Sequence, residues 1–168
     1  TYYSFNESDK KNPIVFIHGL GLIGEMWEPQ INFFKKYSTL TYDLIGHGKT
    51  PMNKSTLHLD DFCKQLSNLI GELNFSKIHL VGFSLGALIA RHFAAKHNKK
   101  LCSLILYGSI YKRTEEQKKI VLDRFKKIKT KKPDSEEATL LRWFTNDFIS
   151  KNPKICKKIS LILKKNNQ

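Results

Sequence analysis

Short, nearly uninterrupted apolar runs separated by segments of helical period constrain this chain more than any other feature. Ile14-Val15-Phe16-Ile17, Ile78-His79-Leu80-Val81 and Leu104-Ile105-Leu106-Tyr107 are the clearest of them. A strand that is apolar at consecutive positions needs cover on both faces, as in the interior of a parallel sheet. Tyr2–Phe5 and Thr39–Tyr42 read as two further strands, the first followed by a polar turn over residues 6–12. Between the strands, residues 57–73 predict a helix. Phe62, Leu66, Leu69, Ile70 and Leu73 fall at i, i+4, i+7, i+8 and i+11 and make one buried stripe. Ser55 or Thr56 is the expected cap at its start. Residues 25–36, with Trp27, Ile31 and Phe34 on one side, and residues 85–97 also read as helices. Strands alternating with helices specify the α/β class, a mostly parallel sheet with flanking helices.

The texture changes after Ser109. Residues 114–129, 136–149 and 153–165 are three Lys-rich helical segments with no strand between them. This predicts a sheet core over 1–110 and a helical addition over 111–168, within a length ordinary for a globular chain. The charge follows the same division. Residues 1–98 carry 10 basic and 8 acidic side chains, whereas residues 99–168 carry 19 and 7. A basic lobe attracts phosphate or anionic lipid. Yet 25 of the 29 basic residues are Lys and only four are Arg, whereas base-specific contacts favour Arg and stacking aromatics. No nucleic-acid partner is expected. No apolar run approaches the length of a membrane span, so no membrane partner is expected either. Cys63, Cys102 and Cys156 are scattered and odd in number, without metal-ligand spacing. They point to a reducing, cytoplasmic compartment and to no metal or other cofactor. The chain starts at Thr1 rather than methionine, so a missing signal peptide carries little weight.

The chemistry sits where strands end. Gly82-Phe83-Ser84-Leu85-Gly86 joins a predicted strand to a predicted helix. A turn this tight needs small residues beside the serine, and it lifts the hydroxyl above the sheet at a helix N-terminus. The positive end of that helix favours an anionic tetrahedral intermediate. His18-Gly19-Leu20-Gly21 leaves the strand 14–17 on the same side of the sheet. The backbone amides of Leu20 and Leu85 are then candidates for a two-donor oxyanion hole. His18 is read as a residue that holds this loop. Asp43 and His47, in Asp43-Leu44-Ile45-Gly46-His47-Gly48, are read as ordering the next loop.

These three motifs in this order resemble the α/β-hydrolase superfamily. The resemblance implies that fold, Ser84 as nucleophile, the Leu20 and Leu85 amides as oxyanion donors, and Trp27 as a packing residue after the oxyanion loop. A serine at the elbow separates the chain from the similar dehalogenases, which place an aspartate there. Tyr111-Lys112-Arg113-Thr114 and Leu141-Arg142-Trp143-Phe144-Thr145 with Pro153 look like the cap of 3-oxoadipate enol-lactonases and nearby esterases. The implied substrate is a small ester or lactone, cleaved through an acyl-enzyme without a cofactor. Trp143 is read either as an aromatic wall or as cap core, and Arg142 either as a carboxylate partner or as a surface charge.

In that superfamily an acid and then a histidine follow the nucleophile on later strands. No histidine follows His97, and Asp123, Asp134 and Asp147 fall in the helical addition. His92 and His97 lie along the helix behind the elbow, roughly 12 and 20 Å from its start at a rise of about 1.5 Å per residue. The expectation is therefore an inactive fragment that lacks the C-terminal strands, the acid and the base. The alternative is a non-catalytic binding module on the same scaffold. Oligomeric state is left open.

Overall fold

Five strands line up in the order β1-β3-β2-β4-β5 in the computed structural model, which describes residues 1–8, 12–52, 54–129 and 136–165. Residues 9–11 of the polar turn and Asp134 lie outside these. The strands are β1 (Tyr3–Asn6), β2 (Ile14–Ile17), β3 (Thr39–Tyr42), β4 (Ile78–Phe83) and β5 (Leu101–Tyr107). β2 pairs in parallel with both β3 and β4, and β4 pairs in parallel with β5. β1 is antiparallel to β3. β5 starts three residues earlier than its apolar run, because Leu101–Ser103 continue the pairing with β4 through a register shift at Ile78/His79.

The central strand is apolar throughout because both its faces are covered. Val15 and Ile17 face a core shared with Leu40, Leu80, Leu66 and Ile89, while Phe16 faces a smaller cluster with Trp27 and Val81. The first core is closed by α2 (Leu59–Glu72) and α3 (Leu85–His97). Phe62, Leu66, Leu69 and Ile70 of α2 are buried, and each such side chain contributes about 1.5–3 kcal/mol through area removed from water. The cap of α2 differs from expectation. His58 is the N-cap residue, and its backbone N–H donates to Asp61 Oδ2 at 2.9 Å. Ser55 and Thr56 lie in a bend before it.

Residues 25–36 do not form one helix. A 3-10 turn, Gly24–Trp27, leads into α1 (Glu28–Phe33), with Pro29 in the first turn of α1, where its missing N–H costs nothing. Trp27 packs on Phe16 with ring centroids 5.0 Å apart.

The chain divides into two compact units, Thr1–Ser109 and Ile110–Lys164. The second holds α4 (Glu115–Lys129), α5 (Glu136–Trp143), α6 (Asn146–Lys151) and all but the last residue of α7 (Pro153–Lys165). The single helix expected over 136–149 is broken at Phe144-Thr145. Thr145 is extended, and its side chain caps α6 by accepting from the Phe148 N–H. A residue that competes locally for backbone hydrogen bonds favours such a start over a helix interior. Phe144 and Phe148 stack across the break, 4.7 Å apart. Among the described residues no helix is long and apolar enough to cross a membrane.

Candidate active site

Ser84 occupies the turn between β4 and α3 and is exposed. Its backbone is at φ 53 and ψ −111, a region that L residues avoid and that costs of order 1–3 kcal/mol. Steric crowding makes the surrounding glycines obligatory. A Cβ on Gly82 would stand 2.3 Å from the Gly86 carbonyl oxygen. One on Gly86 would stand 2.3 Å from the Ile17 carbonyl oxygen, so the first turn of α3 presses directly on the end of β2. From the other side, the Ser84 N–H donates to the Tyr107 carbonyl at 3.0 Å. The turn is thus held between the ends of β2 and β5.

The Gly19–Gly21 loop approaches the same point. A Cβ built on Gly19 would lie 3.3 Å from the Ser84 Cβ and 3.0 Å from the Phe83 ring. Leu20 is the exposed tip of that loop. Leu85 is the first residue of α3, so its N–H is among those that a helix cannot satisfy internally. The fold therefore brings Ser84, Leu85 and the Leu20 loop together at the carboxyl ends of β2 and β4. Phe83, whose ring lies between Gly19 and Gly108, belongs to this neighbourhood and was missed in the sequence. Its position inside the G-x-S-x-G turn was the available signal.

His18 holds the loop. It is fully buried, its Nε2 accepts from the Leu44 N–H at 3.0 Å, and its Nδ1 lies 2.8 Å from the Gly19 carbonyl. Burial pulls its pKa down to about 4, with the hydrogen bond to Gly19 opposing and the neighbouring His47 assisting. The His47 ring meets that of His18 at 5.2 Å, and burial lowers its pKa as well. Asp43 ties two loops together by accepting from the Gly24 N–H at 2.8 Å and the Lys49 N–H at 2.9 Å. Gln65 of α2 reaches the same loop.

The remaining histidines of α3 are elsewhere. His92 Nε2 contacts Asp60 at 2.7 Å, and the His97 ring lies tilted against Phe93 with centroids 4.6 Å apart. Arg142 and Trp143 sit at the end of α5 in the second unit, the guanidinium carbon 6.0 Å from the indole centroid. Among the described residues no cluster of His, Cys, Asp or Glu can hold a metal ion. A cavity of about 560 Å³, lined by Ser4, Glu25, Thr41 and Lys49 among others, lies at the β1–β3 edge and does not include Ser84.

Comparison with known proteins agrees with this geometry. The chain is 32% identical over 146 residues to an (E)-2-((N-methylformamido)methylene)succinate hydrolase of Acinetobacter baylyi, covering 86% of this chain and 55% of that protein. It is 26% identical over 160 residues to a 3-oxoadipate enol-lactonase of the same organism, covering 95% and 59%. The crystal structure of an enol-lactonase from Burkholderia xenovorans LB400 superimposes with a TM-score of 0.86 at 23% identity, covering 98% of this chain and 66% of that one. The chain thus spans little more than half the length of the curated relatives it matches. Residues 12–154 match the model of the alpha/beta hydrolase fold family. With the elbow at Ser84 and the glycine loop beside it, the chain belongs to the α/β-hydrolase family.

Proposed function

We propose that this chain carries the nucleophile and the oxyanion hole of a serine hydrolase acting on a small carboxylic ester or lactone. The observation that carries the reading is the exposed Ser84 in its strained turn, with Gly19 so near that a Cβ built on it would lie 3.3 Å from that of Ser84. The Ser84 hydroxyl attacks the substrate carbonyl. The resulting oxyanion accepts hydrogen bonds from the Leu20 and Leu85 amides, and the ester oxygen departs with a proton. Water then releases the acyl group from Ser84. Attack needs a base. Both ring nitrogens of His18 are engaged, and His92 and His97 lie along α3 away from the elbow. None of these three histidines is placed to take the Ser84 proton.

Two relatives named above are hydrolases of a methylenesuccinate and of a 3-oxoadipate enol-lactone. That supports a substrate bearing a carboxylate, as does the basic excess of residues 99–168. Arg142 and Trp143 are the candidate recognition residues. The experiment is expression of the gene's whole reading frame, assayed on an anionic lactone and a neutral ester. Ser84→Ala should abolish turnover of both. Arg142→Ala should raise KM for the anionic lactone only, by roughly ten- to a hundredfold for a lost charged contact. Turnover retained by Ser84→Ala rejects the mechanism. A reading frame that ends at codon 168 favours the alternative, a non-catalytic binding module.

A further inference from the structure

We propose that Gln65 is a positioning residue for the oxyanion loop, acting through the Asp43–Leu44 peptide and His18 on the amide of Leu20. The inference rests on the reading of that amide as an oxyanion donor.

Gln65 sits on the buried side of α2, three residues after Phe62 and four before Leu69, and is only 6% exposed. A primary amide buried there is costly unless its hydrogen bonds are made. Its hydrogen-bond partners lie outside α2. Nε2 donates to the Asp43 carbonyl at 3.0 Å and to the Thr1 hydroxyl at 3.3 Å, while Oε1 accepts from the Ile45 N–H at 3.2 Å. The amide therefore forks around Leu44 and grips the backbone on both sides of it.

The consequence follows from peptide geometry. The Asp43 carbonyl and the Leu44 N–H belong to one planar trans peptide, so they point in opposite directions. Gln65 holds the oxygen end, and the N–H end donates to His18 Nε2. An Nε2 that accepts must be unprotonated, which puts the proton of the neutral ring on Nδ1. Nδ1–H then donates to the Gly19 carbonyl, 2.8 Å away, which also accepts from the Leu22 N–H at 3.2 Å. The Gly19 carbonyl shares its peptide with the Leu20 N–H, so fixing that oxygen fixes the opposite direction of the amide. Two trans peptides and one imidazole thus connect the middle of α2 to the Leu20 amide. Hydrogen bonds in such a series polarise one another, and the buried setting strengthens them.

The test is NMR of the ¹⁵N-labelled 168-residue chain, which needs no turnover. Wild type should show a scalar coupling across the N–H···N bond from Leu44 to His18 Nε2, with His18 as the Nδ1-protonated tautomer. Gln65→Leu removes the whole fork. Gln65→Glu keeps an acceptor for the Ile45 N–H and loses the donor to Asp43. Both should abolish the coupling, shift the His18 ring towards mixed tautomers and move the Leu20 amide resonance. Amide exchange at Leu80 and Ile89 in the core should stay as in wild type. If Gln65→Leu does not fold, Gln65→Glu decides. An unchanged coupling and tautomer, or a wild-type spectrum without the coupling, overturns the proposal. So does a loss of protection spread equally over the core, which would make Gln65 a packing residue. In the whole reading frame, Gln65→Glu should lower kcat about tenfold with KM unchanged, the pattern of an interaction made in the transition state. A wild-type protein that hydrolyses nothing would refute the proposed function while leaving the NMR result to judge the relay.

Discussion

The turn at Ser84 and the loop at Leu20 end two neighbouring strands and meet at one point, yet different physics holds each. The turn is held by exclusion. Backbone atoms occupy the places where a Cβ at Gly82 or Gly86 would go, at 2.3 Å in each case. The loop is held by hydrogen bonds that run through two histidine nitrogens and a buried amide. Exclusion does not respond to solution conditions and fails all at once when a methyl group is added. Hydrogen bonds to an imidazole fail by degrees, as protons arrive. A site built from both has one rigid member and one that chemistry can loosen.

The largest expected effect breaks the rigid member. Gly86→Ala places a methyl group against the Ile17 carbonyl, and should cost about 3 kcal/mol or more, at the upper end for overpacking. Gly71→Ala in α2 meets nothing within 4 Å and should stabilise by about 0.5–1 kcal/mol as an ordinary helix substitution. Denaturant midpoints of the two variants measure the contrast. Equal effects would remove the steric account.

Acid should break the other member. The unfolded chain protonates residue 18 near pH 6.5, whereas the folded chain resists until about pH 4. Across that window the unfolded state binds more protons, so stability falls as pH falls, by about 3 kcal/mol when complete. His47 is shifted in the same direction and adds to the slope. Unfolding free energies from pH 7 to 4 should fall more steeply for wild type than for His18→Asn. Parallel curves would show that His18 is not the source.

Ser84 itself offers a smaller effect of opposite sign. Glycine tolerates φ 53 without strain, so Ser84→Gly should stabilise by about 1 kcal/mol after its extra unfolded-state entropy. A destabilised variant would mean that the serine side chain supports the turn. The smallest effect lies outside this pair of regions. Thr145→Ala removes the side-chain cap of α6 and should cost about 0.5–1 kcal/mol, read as faster amide exchange at Phe148 with β2 and β4 unchanged.

The elbow was legible in the sequence because its constraint is local. Five consecutive residues between an apolar run and a helical period specify a tight turn, whatever the rest of the chain does. The α2 stripe was legible for the same reason, since Phe62, Leu66 and Leu69 repeat at helical spacing. Gln65 was passed over within that stripe. Its spacing to Phe62 and Leu69 put it on the buried side, and a buried amide implies partners, but nothing local says which. The break at Thr145 was missed because helical periodicity survives a short interruption, whereas a threonine that caps the next helix shows itself only in backbone geometry.

Sequence by itself determined the strand and helix alternation, the tight turn at Ser84 and the glycine loop, since each is written in residues a few positions apart. Tertiary structure alone decided that His18 reads Leu44, 26 residues away, and that Gln65 grips the backbone on both sides of that residue. Those contacts join backbone groups, which every residue carries alike. Their partners are therefore chosen by how strands and helices pack, and side-chain identity along the chain leaves no record of them.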